Sequence, residues 1–171
     1  MADRFSFSDS IVLTMLNALR CPNCFKGLKN NFDKEVLNCS NCCESYRKTS
    51  NFFEIILEKD IGYVEKKSLE TWGKDLHKAS KKNKVGHINT VNKKFAEFPN
   101  ILSGDVLEVG CGICADAEYI SSFSNVENVV ALDIGENCEE IAMQNLNNKK
   151  LKIVRANCLN IPFKNEQFKF V

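Results

Sequence analysis

The first chemistry in this sequence sits in two pairs of cysteines. Cys21-Pro22-Asn23-Cys24 and Cys39-Ser40-Asn41-Cys42 are C-x-x-C turns separated by fourteen residues. In such a turn, backbone N–H groups point back at two thiolates, and two turns close a four-sulfur tetrahedral shell with no open position. Cys21, Cys24, Cys39 and Cys42 are therefore expected to hold a structural Zn2+, with the adjacent Cys43 a spectator. The other reading is a pair of disulfides or free buried thiols. Metal binding also accounts for how about 40 residues fold without a sizeable core.

The second chemistry is a glycine turn. Val106-Leu107-Glu108-Val109 is an apolar run ending at Gly110-Cys111-Gly112-Ile113-Cys114-Ala115, after which 116–123 has helical character. Gly110-x-Gly112-x-x-Ala115 fits the dinucleotide fingerprint, with Asp133 an acidic residue about 20 positions further on. Glu108 discriminates between cofactors: a carboxylate here repels the pyrophosphate of NAD but attracts the ammonium of an amino-acid moiety. Glu108, Gly110, Cys111 and Gly112 thus suit S-adenosylmethionine better than NAD, and Asp133 can accept both ribose hydroxyls. Cys111 and Cys114 also form a third C-x-x-C where a strand hands over to a helix, the pattern of a thioredoxin-like redox site. A redox role leaves Gly110, Gly112, Asp133 and Ile161-Pro162-Phe163 without a purpose.

Elements must position these groups. Ser10 is placed to cap a short helix over Ile11, Met15, Leu16 and Leu19. A strand over 35–38 enters the second knuckle, and Tyr46 and an apolar run over 52–57 follow it. Beyond Asp105 the pattern is strand, turn, helix, then strand (128–132), a helix from Asn137 with Glu140 completing a capping box, and a third strand (152–155). Alternating strands and helices imply a parallel sheet with ligands at the carboxyl ends of its strands. The fold class expected is α/β: an N-terminal zinc-binding β-rich module followed by the first half of a Rossmann-like parallel sheet. The expected organisation is a zinc-ribbon-like domain over 1–58, a basic helical connector over 59–100 and a partial cofactor-binding domain over 101–171.

Composition narrows the class. Of 171 residues, 44% are hydrophobic and 26% charged, which excludes disordered and collagen-like chains. The longest apolar stretch, Ile11 to Leu19, is interrupted by Thr14 and Asn17 and is too short to span a membrane. With no signal-peptide pattern and no membrane contact expected, the protein is assigned to the cytoplasm, a setting that disfavours disulfides. The net charge of +1 is a cancellation: 59–94 carries ten basic and four acidic groups, whereas 95–171 carries six and eleven. The connector reads as helices over 68–81 and 87–98, broken at Gly86 and stopped by Pro99. Its lysines form either a solvated face or a phosphate-contacting surface for RNA. Trp72, His77 and His87 lack motif partners.

Two resemblances join these signals. Residues 18–58, with Cys-Pro-x-Cys, Cys-x-x-Cys, Tyr46 and an apolar strand, resemble the zinc-binding domain of the tRNA-methyltransferase activator family. Residues 104–171 resemble the first half of a class I S-adenosylmethionine-dependent methyltransferase, type 11-like. The resemblance rests on Val106 to Gly112, Val130-Ala131-Leu132-Asp133, Asn160-Ile161-Pro162-Phe163 and Phe168 to Val171. It implies methyl transfer from S-adenosylmethionine to an acceptor left open between a small molecule and an RNA reached through the connector. It places Asn157, with Cys158 beside it, at the adenine, and puts the catalytic groups beyond Val171 in a chain that is C-terminally truncated. Cys114 stands where that family has a third glycine, Asn157 where it has an aspartate and Lys169 where an aspartate opens the fourth strand. The alternative is a non-catalytic zinc-binding adaptor of another methyltransferase.

Overall fold

The structure, a computed structural model, describes residues 15–31, 34–62 and 96–171. Most of the 59–100 connector, with Trp72, His77 and His87, lies outside the described residues, as does Ser10. The N-terminal part is an antiparallel meander of four short strands: β1 (Leu28–Asn31), β2 (Val36–Cys39), β3 (Ser45–Lys48) and β4 (Phe52–Glu54). The C-terminal part is parallel, with β5 (Gly104–Val109), β6 (Val126–Asp133) and β7 (Leu151–Arg155). A short α1 (Phe98–Ile101) precedes it, and α2 (Ala115–Ile120) and α3 (Cys138–Gln144) make the crossovers.

The two parts share one sheet. β4 runs parallel to β7, pairing Phe52 with Ile153, Phe53 with Val154 and Glu54 with Arg155, and the seven strands take the order β1-β2-β3-β4-β7-β6-β5. Strands covered on both faces read as continuous apolar runs, not as alternation, and Val129-Val130-Ala131-Leu132 and Leu151-Lys152-Ile153-Val154 do so apart from Lys152. One face buries Phe53, Ile55, Leu107, Val130, Leu132 and Val154 under Leu16, Leu19 and Phe163. The other buries Phe52, Val106, Val129, Ala131 and Ile153 under Ala117, Ile141 and Ala142. The adjacent Phe52 and Phe53 thus anchor opposite cores, which pins β4 in the sheet. Beyond β5 the chain returns as Phe170, bridging Val106 in parallel.

Two local expectations need correction. Pro99 lies in the first turn of α1 and does not stop a helix: with φ already fixed and no N–H to satisfy, proline suits that turn. Asn137 precedes α3 but its side chain makes no capping bond; the amide donates to the Gly112 carbonyl at 3.5 Å instead. Among the described residues, no helix is long and apolar enough to cross a membrane.

Candidate functional site

The four cysteines converge. Cys21, Cys24, Cys39 and Cys42 place their Sγ atoms within 4.8 Å of one another, with Cys21 to Cys42 at 3.5 Å and Cys24 to Cys39 at 3.4 Å. Four sulfurs at the Zn–S distance of about 2.3 Å from one ion lie about 3.8 Å apart, so the cluster has the right dimensions, and none of the four is in a disulfide. Cys43 is exposed and outside the cluster. The knuckles flank β1 and β2: the first is a turn before β1, with Cys21 pinned as its N–H donates to the Lys26 carbonyl at 2.7 Å, and Cys39 ends β2. Burial raises the Cys39 pKa, but N–H donors from Cys42 and Asn41, with the thiols of Cys24 and Cys42, outweigh it and bring it down to about 6. The Tyr46 hydroxyl lies 3.2 Å from the Cys21 sulfur, within hydrogen-bond reach, and so helps to orient it.

At the carboxyl ends of β5 and β6 the glycine turn is pinned twice to the neighbouring strand, since Gly110 and Cys111 both donate N–H bonds to the Leu132 carbonyl, at 2.7 and 3.1 Å. Gly110 and Gly112 take φ of +80° and +53°, the left-handed region that side chains resist. A Cβ on either would meet nothing within 4 Å, so the turn faces open space. Cys114 also has positive φ, +64°, a region that costs a side chain energy, and the residue is fully buried. Asp133 closes the turn from β6: one carboxylate oxygen accepts the Gly112 N–H at 2.9 Å and the other the Gly135 N–H at 2.8 Å. With about four lone-pair sites, that carboxylate retains room for further donors.

Glu108 faces the same turn. Its Oε2 is buried and has no partner. Burial, reinforced by the carboxylates of Asp116 and Asp133 and opposed by the Ala117 N–H, pushes its pKa up to about 8. Three carboxyl groups around one concave turn favour a cation there and disfavour a pyrophosphate. Cys111 and Cys114 are both buried; the hydrogen bond between their side chains, then burial, drive the Cys111 thiol well up, the opposite of what a redox C-x-x-C requires. Asn157 and Cys158 sit beyond β7 at the third strand end. Asn157 Oδ1 caps the 3-10 turn Cys158–Asn160 by accepting the Leu159 N–H at 2.9 Å, and Cys158 is exposed.

Glu108, Gly110, Cys111, Gly112 and Asp133 are thus neighbours at one strand edge, while Asn157 and Cys158 stand one strand further along. Sequence reasoning missed Asp116, Gly135 and Asn137, which act through this turn. The signal for Gly135 is its spacing, two residues after Asp133, where an aspartate side chain accepts from the backbone two residues on.

Residues 106–171 match a protein family described as a methyltransferase domain, and no curated protein matches the chain. The match runs from Val106 within β5 past the bridge at Phe170 and includes every residue of the glycine-turn site, so a methyltransferase function is supported for the part of the chain that carries it.

Proposed function

We infer that the chain is an S-adenosylmethionine-dependent methyltransferase whose cofactor lies across the carboxyl ends of β5, β6 and β7, and whose cysteine cluster holds a structural Zn2+. The observation that carries the reading is the unpartnered, buried Glu108 oxygen beside an open glycine turn ringed by acidic groups. A buried acceptor without a donor costs about 1–3 kcal/mol, and an ammonium ligand removes that cost.

When bound, the sulfonium of S-adenosylmethionine supplies an electrophilic methyl group. Glu108 would take the cofactor's amino group, giving up its proton as it does so. The left-handed Gly110 and Gly112 let the backbone approach the amino-acid moiety, and Asp133 would accept the ribose hydroxyls while keeping hold of Gly112 and Gly135. Asn157, its oxygen already turned to Leu159, would meet adenine at the end of β7. Together these contacts fix the direction of the methyl group, and alignment with the acceptor is the larger part of catalysis in such transfers. The four cysteines, closed to further ligands, hold the ribbon together and take no part in the chemistry.

Titration calorimetry with S-adenosylhomocysteine and with NAD tests this. Binding of the first, weakened about 10-fold or more by Asp133→Ala, is expected. No binding, or equal binding of NAD, would overturn it.

A further inference from the structure

We propose that Arg155, held by Glu54 of the ribbon meander, is a positioning residue for the Asp133 loop, so that the cysteine-rich module and the cofactor turn are mechanically one unit. The proposal rests on the reading of Asp133 as the ribose-binding carboxylate.

The path is continuous. Glu54 lies on β4, whose neighbour is β7, and its two oxygens face two arginines: Oε1 accepts from Arg155 at 2.8 Å and Oε2 from Arg47 at 3.1 Å. The Arg155 side chain is only 13% exposed, so its charge is shielded and its orientation fixed. Its Nε then donates to the Ile134 carbonyl at 3.2 Å, between the two residues that matter, Asp133 and Gly135. The backbone repeats the tie, as Arg155 is registered opposite Asp133 and the next N–H, from Ala156, donates to the Asp133 carbonyl at 2.8 Å. Asp133 carries the constraint on to Gly112 and Gly135.

A second tie shares Glu54 with the first but runs to α3 and not to the Ile134 carbonyl. Arg47 of β3 grips Glu139 of α3 with both terminal nitrogens, at 2.6 and 2.7 Å, and its guanidinium lies over the Phe52 ring at 5.3 Å. Arg47 docks the ribbon on the first turn of α3, whereas Arg155 reaches the carbonyl beside Asp133. That difference makes the proposal testable, because one arginine can be removed while the other stands.

The measurement is native-state hydrogen exchange on the full chain with zinc bound, comparing Arg155→Met with Arg47→Met, alongside calorimetry with S-adenosylhomocysteine. In Arg155→Met the Gly112 and Gly135 amides, both bonded to Asp133, are expected to exchange about 5- to 10-fold faster. The Gly104 amide, bonded to the Asn125 carbonyl at the far end of β5, should be unchanged. Arg47→Met frees one Glu54 oxygen but leaves both Arg155 bonds in place, so it should change the three far less. Ligand affinity should fall by a similar factor in Arg155→Met, and Arg155→Lys, which restores one donor, should recover part of the protection. Unaltered Gly112 and Gly135 exchange, an equal rise at Gly104, or the same effect from Arg47→Met would overturn the proposal. If exchange responds as expected but the unmutated chain binds no S-adenosylhomocysteine, the tie stands and the cofactor reading fails.

Discussion

Glu108 offers the sharpest test of the site, because its protonation couples stability to ligand binding. In the unfolded chain its carboxyl titrates near 4.5, and in the folded protein near 8. Between those values the folded state keeps a proton that the unfolded state has released, so stability is full below pH 4.5, falls as pH rises and reaches its floor above pH 8. At 1.36 kcal/mol per pH unit the loss from pH 4.5 to 7 is about 3 kcal/mol at most, a large share of a small domain's stability. Glu108→Gln keeps the shape and cannot ionise, so its urea-unfolding free energy should be flatter by about that amount over this range. The same proton must leave when an ammonium arrives. At pH 7 most folded molecules carry it, so S-adenosylmethionine binding should release the larger part of one proton. Calorimetry in buffers of different ionisation heat reads that number directly, and Glu108→Gln should release none. Parallel pH profiles for the two proteins, or binding without proton release, would refute the reasoning.

At the cysteine cluster, any one of Cys21, Cys24, Cys39 and Cys42 changed to serine should abolish stoichiometric zinc in mass spectrometry of the purified chain, whereas Cys43→Ser should retain it. Tyr46→Phe removes the hydroxyl beside the Cys21 sulfur and should weaken zinc about 10-fold in competition with a chromogenic chelator, leaving the fold intact. Cys114→Gly should lie within about 1 kcal/mol of the natural protein in chemical denaturation, since relief of the left-handed backbone offsets the lost thiol packing, and Cys114→Ala should be less stable than Cys114→Gly. Lys152 is buried on the opposite face from the glycine turn, its pKa lowered by desolvation, and Lys152→Met should raise stability by about 1 kcal/mol or more at pH 7.

What was legible in the sequence is what chemistry places within a few residues. A C-x-x-C turn, a glycine that must take positive φ and a carboxylate two positions before it each constrain short backbone stretches, and the cysteines and the glycine turn lie where their spacing implied. β2, β5, β6 and β7 were found within two residues, the last three because burial leaves an apolar run at each, whereas the polar β1 and β3 were not read as strands and the apolar run over 52–57 outlasts β4 by three residues. The union of the two parts left no such trace. Phe52 and Phe53 read as the end of a ribbon, and nothing local announces that they pair with Ile153 and Val154 a hundred residues on, because no turn sets the register of a parallel strand joined through so long a connection. The two arginines were equally silent: Arg47 and Arg155 look like ordinary surface charges until β4 and β7 become neighbours and Glu54 stands between them. A parallel strand added at β7 also has a consequence for the site. It covers the outer edge of the parallel sheet, and it supplies the anion that pairs with Arg155, whose Nε bonds the loop after β6. Loss of the ribbon would therefore expose an unpaired strand edge and leave a largely buried arginine without its carboxylate, two penalties that fall within one residue of Asp133. The cysteine cluster and the glycine turn look like separate modules in sequence, yet β4 of the cysteine-bearing meander pairs with β7, and its Glu54 meets the arginine that bonds the Ile134 carbonyl beside Asp133.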